Sequence, residues 1–191
     1  LQVGNEVRST SLKDIINMFR YYIMAGFHTK TFITHDSYMT PKYAWENIIH
    51  LLDKTKTYWE GFYGDGISGK YLTELGLTTI HEPIDFFNDE TLPIYDILIS
   101  NPPFSQCKQI LNRLYELDKP FILILPSSKI NTLYFRKWKD RNIQIIIPRK
   151  RIHFNKLIDG ETPNNYKSSC NFDTFYYCYK IGLDKDITWL E

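Results

Sequence analysis

Tyr95-Asp96-Ile97-Leu98-Ile99-Ser100-Asn101-Pro102-Pro103-Phe104-Ser105 is the stretch whose reading decides the fold. Behind Asp96 the chain runs apolar without alternation, the pattern of a strand buried on both faces, and such strands belong to parallel sheets. Two prolines then end the strand and fix the backbone that follows. Ser105 stands where a helix cap is needed, ahead of an apolar face made by Ile110, Leu111, Leu114 and Leu117. Strand, rigid loop and helix in succession make half of a βαβ unit.

The pattern repeats on both sides. Downstream, Phe121 to Leu125 reads as a second buried strand ended by Pro126, Ile130 to Trp138 as a helical segment, Ile143 to Ile147 as a strand, and Asn171 to Ile181 as a long aromatic strand. Upstream, Thr57 to Phe62 reads as a strand that enters the turn Tyr63-Gly64-Asp65-Gly66. A helix over Ser68 to Leu75 stopped by Gly76 follows, and Leu77 to His81 is the next strand. Thr40 as N-cap and Pro41 in the first helical position open a helix with Ala44, Trp45, Ile48, Ile49 and Leu52 on its apolar face. Ser11 to Ala25 carries a helical stripe of Leu12, Ile15, Ile16, Phe19, Tyr22 and Ile23. Alternating strands and helices predict an α/β, Rossmann-like fold, a mostly parallel sheet with helices on both faces. One domain over 1–191 with a helical extension at 1–35, and no separate target-recognition domain, is the simplest organisation.

The 191 residues suffice for a proper core, and the apolar share of 43% is ordinary for a globular chain. No apolar run reaches the roughly 18 residues that suggest a membrane span. Leu1 to Ser11 lack the charged-then-apolar pattern of a secretory signal. Cys107, Cys170 and Cys178 form an odd, sparse set without zinc-ligand spacing, which fits an intracellular, reducing compartment such as cytoplasm or nucleus. With the histidines scattered too, no metal site is expected. Net charge is only +1, but Lys129, Arg136, Lys137, Lys139, Arg141, Arg149, Lys150, Arg151 and Lys156 face a single acid, Asp140, in one stretch. A solvated basic surface accounts for such a cluster by itself. Interleaved Tyr134, Phe135, Trp138 and Phe154 are also what a surface that holds phosphates and stacks bases needs, and Lys129, Arg149, Lys150, Arg151 and Phe154 are its candidate contacts.

In an open parallel sheet, ligands bind at the carboxyl ends of the strands, so the loops after Phe62, His81 and Ser100 are where chemistry belongs. Gly64 and Gly66 permit a sharp turn and close approach of a ligand to the backbone. Glu82 stands 18 residues beyond Gly64, close to the roughly 20-residue offset at which an acid holds ribose hydroxyls. No phosphate-binding continuation follows the turn, so a nucleoside without phosphates is the expected guest. In Asn101-Pro102-Pro103-Phe104 the prolines remove two donors, which leaves carbonyl oxygens beside the Asn101 amide and the Phe104 ring. Two acceptors and an aromatic plate suit a planar group bearing an NH2.

Asn101-Pro102-Pro103-Phe104 resembles the Asn/Asp-Pro-Pro-Tyr/Phe motif of S-adenosylmethionine-dependent amino-methyltransferases, which act on adenine, cytosine N4 and certain glutamines. Glu60-Gly61-Phe62-Tyr63-Gly64-Asp65-Gly66 is similar to their cofactor loop, with Gly61 in place of the usual proline. Thr40-Pro41 resembles the turn that meets the methionine end of the cofactor, and Asp85-Phe86-Phe87 the segment that meets its adenine. The order of these motifs is that of the gamma arrangement. The resemblance implies a class I methyltransferase fold with a mostly parallel seven-stranded sheet. It implies S-adenosylmethionine as cofactor, held by Thr40, Pro41, Glu60, Gly64, Gly66, Glu82, Asp85 and Phe86. It implies Asn101, Pro102, Pro103 and Phe104 as the catalytic set, with Asn101 and the Pro102 carbonyl accepting from the amine while its nitrogen attacks the methyl group.

The expected activity is methylation of adenine N6 in DNA, on a base flipped from a duplex or taken from a single strand. The same pocket would serve RNA, or a glutamine side chain in a protein. A catalytically silent subunit that binds nucleic acid for an active partner is the alternative from another class. So small a chain fits either an enzyme of modest specificity or one subunit of a complex in which a partner supplies target recognition.

Overall fold

Ile97–Ser100 form strand β4, and all four residues are buried, as a strand covered on both faces requires. The computed structural model describes residues 36, 38–156 and 172–191, and every element named below lies in one compact unit, Ser37–Glu191. The predicted helix at 11–25 and the extension at 1–35 fall outside the described residues.

On one side β4 pairs in parallel with β2 (Thr57–Trp59), and β2 pairs in parallel with β3 (Thr78–Ile80). On the other side β4 pairs in parallel with β5 (Phe121–Pro126). Beyond β5 lie β8 (Thr174–Tyr179), β6 (Gln144–Ile147) and β9 (Ile187–Trp189), which gives a seven-stranded sheet of order β3-β2-β4-β5-β8-β6-β9. β8 is antiparallel to both of its neighbours and β9 is parallel to β6, so β8 alone runs against the rest. The expected mostly parallel sheet is therefore what the chain forms. A separate antiparallel pair joins β1 (Tyr38–Met39) to β7 (Asn155–Lys156).

The chain steps from β2 outward to β3, then returns to β4 on the other side of β2. Strand order thus reverses between β2 and β4, and the crevice outside their carboxyl ends is where a sheet of this kind accepts a ligand.

Among the described residues three α-helices accompany the sheet: α1 (Lys42–Glu46), α2 (Ile67–Glu74) and α3 (Cys107–Leu117). Alternation along β8 shows that both faces are covered. Tyr177 and Tyr179 turn one way, against Phe135 and Trp138, and Trp138 in turn packs on Tyr115 of α3 at 5.3 Å. Tyr176 turns the other way, where its hydroxyl donates to the Ala44 carbonyl of α1. α1 is tied to α2 by Trp45 Nε1 donating to Ser68 Oγ at 3.0 Å. All six residues of β5 are buried at the centre; each large apolar side chain so covered contributes roughly 1.5–3 kcal/mol.

Several local expectations shift. Pro41 rather than Thr40 is the residue before α1, extended at φ −71° and ψ 151°. That helix ends at Glu46 and resumes as a 3-10 turn at Ile49–Leu51. Pro103 precedes a 3-10 turn at Phe104–Gln106, so Ser105 lies inside that turn rather than directly before the helix, and α3 begins at Cys107. The segment read as a helix from 130 to 138 is two 3-10 turns, Ser127–Asn131 and Phe135–Trp138, because it packs by single aromatic side chains rather than along a helical stripe.

Tyr176→Phe leaves the buried Ala44 carbonyl without its donor, and a loss of about 1–3 kcal/mol in unfolding free energy is expected in urea titration.

Candidate active site

Three parallel strands end together, and their last residues converge. Glu60, just past β2, is 1% exposed and its backbone N–H donates to Ile80 of β3 at 3.0 Å. Ser100, the last residue of β4, is fully buried and its hydroxyl donates to Glu60 Oε1. Among the described residues Glu60 Oε2 has no hydrogen-bond partner, although His81 Nε2, just past β3, stands 3.6 Å away. Burial pushes the Glu60 carboxyl up to about 8, against the opposing hydrogen bonds from Ser100 and Phe62. Burial also lowers the His81 imidazole. Burial thus disfavours the charged form of both groups and opposes an ion pair between them. His81 lies flat on Tyr63, with ring centroids 4.6 Å apart and planes at 18°. Sequence reasoning missed His81; its one signal was its place at a strand end beside Glu82.

The glycine turn leaves β2 as expected. Gly64 and Gly66 take φ of +57° and +77°, the left-handed region that side chains avoid. Gly66 N–H closes the turn on the Tyr63 carbonyl at 2.9 Å, and the Asp65 carboxylate accepts from Ile67 N–H at 3.0 Å as α2 starts. Gly61 answers a different need. A Cβ there would stand 2.6 Å from Leu98 Cδ1, in a core where Leu98 is fully buried. Any side chain at this position would therefore require Leu98 to move.

Asn101 follows Ser100 directly. Its Nδ2 donates to the Tyr38 carbonyl at 2.8 Å, while its Oδ1 is buried with no partner among the described residues. Pro102 is buried and Phe104 is 8% exposed. The Phe104 ring is covered by Tyr38, stacked at 6.0 Å and 29°, and flanked by Phe154 and Phe172. Met39, beside Tyr38, brings its sulfur to 3.1 Å from where a Cβ on Gly64 would be. The Tyr38–Met39 segment therefore spans from Asn101 to the glycine turn and carries buried Thr40 and Pro41 with it. Glu60, Gly64, Gly66, Asn101, Pro102, Phe104, Thr40 and Pro41 are gathered in one place.

The remaining assignments separate. Glu82 is exposed two residues beyond β3. Asp85 is exposed and its carboxylate accepts from Phe87 N–H at 2.9 Å. Phe86 is 3% exposed, packed on Trp59 and Phe62, so its side chain belongs to the core and offers no face to a nucleoside. Phe154 is fully buried among Tyr38, Phe104 and Phe172, which rules out a base-stacking wedge in this conformation. Arg151 is paired with Asp173 at 2.7 Å, and Lys129 is half-buried with Nζ 3.4 Å from the Phe104 carbonyl. Arg149 and Lys150 are exposed and form no ion pair among the described residues. Within the same residues there is no group of three or more His, Cys, Asp or Glu able to hold a metal ion, and no helix long and apolar enough to cross a membrane.

No family model and no curated protein matches the chain. Among solved structures it is similar to a Listeria monocytogenes protein assigned to the class I S-adenosylmethionine-dependent methyltransferases, at 13% identity and a TM-score of 0.45, over 98% of this chain and 74% of that one. A precorrin-6y C5,15-methyltransferase from Geobacter metallireducens is similar at 12% identity and a TM-score of 0.41, over 78% and 96% of the two chains. A dimethyladenosine transferase from Plasmodium falciparum follows at 10% and 0.41, over 74% and 62%. Likeness this loose decides neither substrate nor reaction, and the chemistry has to be argued from the chain's own residues.

Gly61→Ala is expected to lower the melting temperature through a clash costing roughly 1–3 kcal/mol. Adding Leu98→Ala should cost less in that background than in the parent, a coupling that a double-mutant thermal series reads directly. Glu60 sets a pH dependence as well. Between its ordinary value of 4.5 and its folded value of about 8 the unfolded chain has lost a proton that the folded chain retains, so stability falls as pH rises through that window. Urea midpoints measured from pH 5 to pH 8 should decline less steeply in Glu60→Gln.

Proposed function

We propose that the chain transfers a methyl group from S-adenosylmethionine to the exocyclic N6 amine of adenine in DNA. The observation that carries this reading is a pair of buried oxygens without a partner among the described residues: Asn101 Oδ1, an acceptor as it stands, and Glu60 Oε2, which becomes one when the carboxyl ionises. They belong to the carboxyl ends of β2 and β4, where strand order reverses. A buried polar atom left unpaired costs about 1–3 kcal/mol, and a ligand N–H repays it.

The two acceptors differ in kind, which divides the work between them. Glu60 is a carboxyl kept neutral by burial, and an arriving cation would favour its ionised form. The α-ammonium of the cofactor is such a cation. Gly64 and Gly66 would admit the nucleoside close to the backbone, the exposed Glu82 and Asp85 would have to reach it from outside the gathered residues, and Thr40 with Pro41 would border its methionine end. When bound, S-adenosylmethionine supplies an electrophilic methyl group on a cationic sulfur.

Asn101 Oδ1 is a neutral acceptor and suits an uncharged NH2. With the Pro102 carbonyl it would take both amine hydrogens, and Pro103 keeps the loop rigid. Delocalisation into the ring makes such an amine a poor nucleophile, so holding both hydrogens out of the ring plane localises the lone pair. Positioning of this kind can contribute roughly 7–11 kcal/mol. Phe104 would stack on the base. In the present conformation Tyr38 covers that ring and its carbonyl occupies Asn101 Nδ2, so entry of a base displaces the Tyr38 side chain. Adenine in a duplex must leave the stack to reach this depth. The unpaired cations Arg149 and Lys150 favour a polyanionic substrate over a glutamine in a protein, and a partner subunit would supply sequence recognition.

The test is nucleoside mass spectrometry after incubation with S-adenosylmethionine and DNA, RNA or protein in separate reactions. N6-methyladenine is expected from DNA, with Asn101→Ala slower on the order of a hundredfold or more, as for loss of one transition-state hydrogen-bond partner. Equal product from both proteins, or methylation confined to the RNA or protein reaction, overturns the reading.

A further inference from the structure

Trp45, Trp59 and Trp138 are at most 1% exposed, but Trp189, the last residue of β9, is 69% exposed. It borders a groove of about 430 Å³ whose other walls include Tyr43 and Asn47 beside α1, His50, and the exposed cations Arg149 and Lys150. Glu191 is the one acid among the lining residues. Tyr43 is held in place by its hydroxyl, which accepts from His153 N–H at 2.7 Å and leaves the ring 40% exposed.

The groove lies at the carboxyl ends of β6 and β9, which run parallel to β2 and β4, so it opens at the same end of the sheet as Glu60 and Asn101. A single run of chain connects the two. From Ile147 at the end of β6 it passes Arg149 and Lys150 at the groove and buried Phe154 on Phe104. It then enters β7, which pairs with β1 at Tyr38↔Lys156. Tyr38 in turn holds Asn101.

We propose that this groove docks a single-stranded segment of the nucleic-acid substrate, with Trp189 stacked on a base and Arg149 and Lys150 on adjacent phosphates, and so feeds the neighbouring nucleotide toward Asn101. The proposal deepens the reading above and rests on it for its final clause. An exposed indole on a rigid strand stacks any base, because every base has a π-face. Two cations that form no ion pair among the described residues stand beside it and supply the salt-sensitive part of the affinity. Arg151, the next residue along, is paired with Asp173 and is not part of the docking surface.

Oligothymidylate is the probe of choice. It has no exocyclic amine, so it reports on the groove without engaging the amine acceptors. Because three of the four tryptophans are buried, quenching of the red-shifted emission on titration reads Trp189 alone. Quenching is expected in the parent protein. Trp189→Ala should weaken binding, followed by anisotropy, roughly five- to a hundredfold, and Trp189→Phe should recover most of it. Arg149→Gln with Lys150→Gln should lower the slope of log affinity against log salt by about 1.4, as expected for two released phosphate contacts on a single strand. Oligothymidylate binding that neither quenches the exposed indole nor weakens in Trp189→Ala overturns the proposal, as does no binding at all. Methylation of DNA that persists in that event leaves the catalytic reading standing. Quenching without methylation removes the catalytic reading and keeps the groove.

Discussion

The site depends on one unfavourable fact, a carboxyl group held out of water. Glu60 sits where β2 ends, enclosed by the ends of β3 and β4, and burial raises its carboxyl to about 8. The fold tolerates this because Ser100 gives one oxygen a hydrogen bond and because the group can carry a proton. The second oxygen is left with an imidazole at 3.6 Å that burial also keeps uncharged. A buried acid without a full set of partners costs stability, and such costs persist where function requires them.

Packing around that acid explains the local sequence. A side chain at Gly61 would meet Leu98, and the backbone pairing of β2 with β4 brings Ser100 to Glu60. Beyond Ser100 the prolines commit the chain to a fixed course, and Asn101 is left with one amide atom satisfied by Tyr38 and the other by nothing among the described residues. Tyr38 serves twice, its carbonyl on Asn101 and its ring on Phe104. The segment it belongs to is anchored by two backbone-paired residues in β1, less hold than any strand of the main sheet has through its neighbours.

Charge is distributed with comparable economy. The basic stretch reads in sequence as one surface, yet its members have different tasks in three dimensions. Arg141 lies over Tyr115 at 4.0 Å and is paired with Asp118, Arg151 is paired with Asp173, and Lys129 leans on the Phe104 carbonyl. Arg149 and Lys150 are exposed and form no ion pair among the described residues, so their charge is open to an outside partner, and they stand beside an exposed indole.

The buried strands, the glycine turn and the acceptor loop were legible from residue order because each follows from local rules. Continuous apolar runs make Ile97–Ser100 and Phe121–Pro126 into interior strands. Left-handed backbone demands glycine at 64 and 66, and two prolines fix whatever follows Asn101. Helix starts were less legible, since Thr40 and Ser105 have the right chemistry for caps but each lies in chain already committed by a neighbouring proline. What only the tertiary structure decided is which side chains remain available to a ligand. Exposure and pairing are set by residues distant in sequence: Asp173 neutralises Arg151, Tyr38 and Phe172 enclose Phe104, Trp59 and Phe62 enclose Phe86, and the edge position of β9 leaves Trp189 open. A periodicity can say that a residue is apolar or charged, but not what will cover it, because the covering groups arrive from elsewhere in the chain.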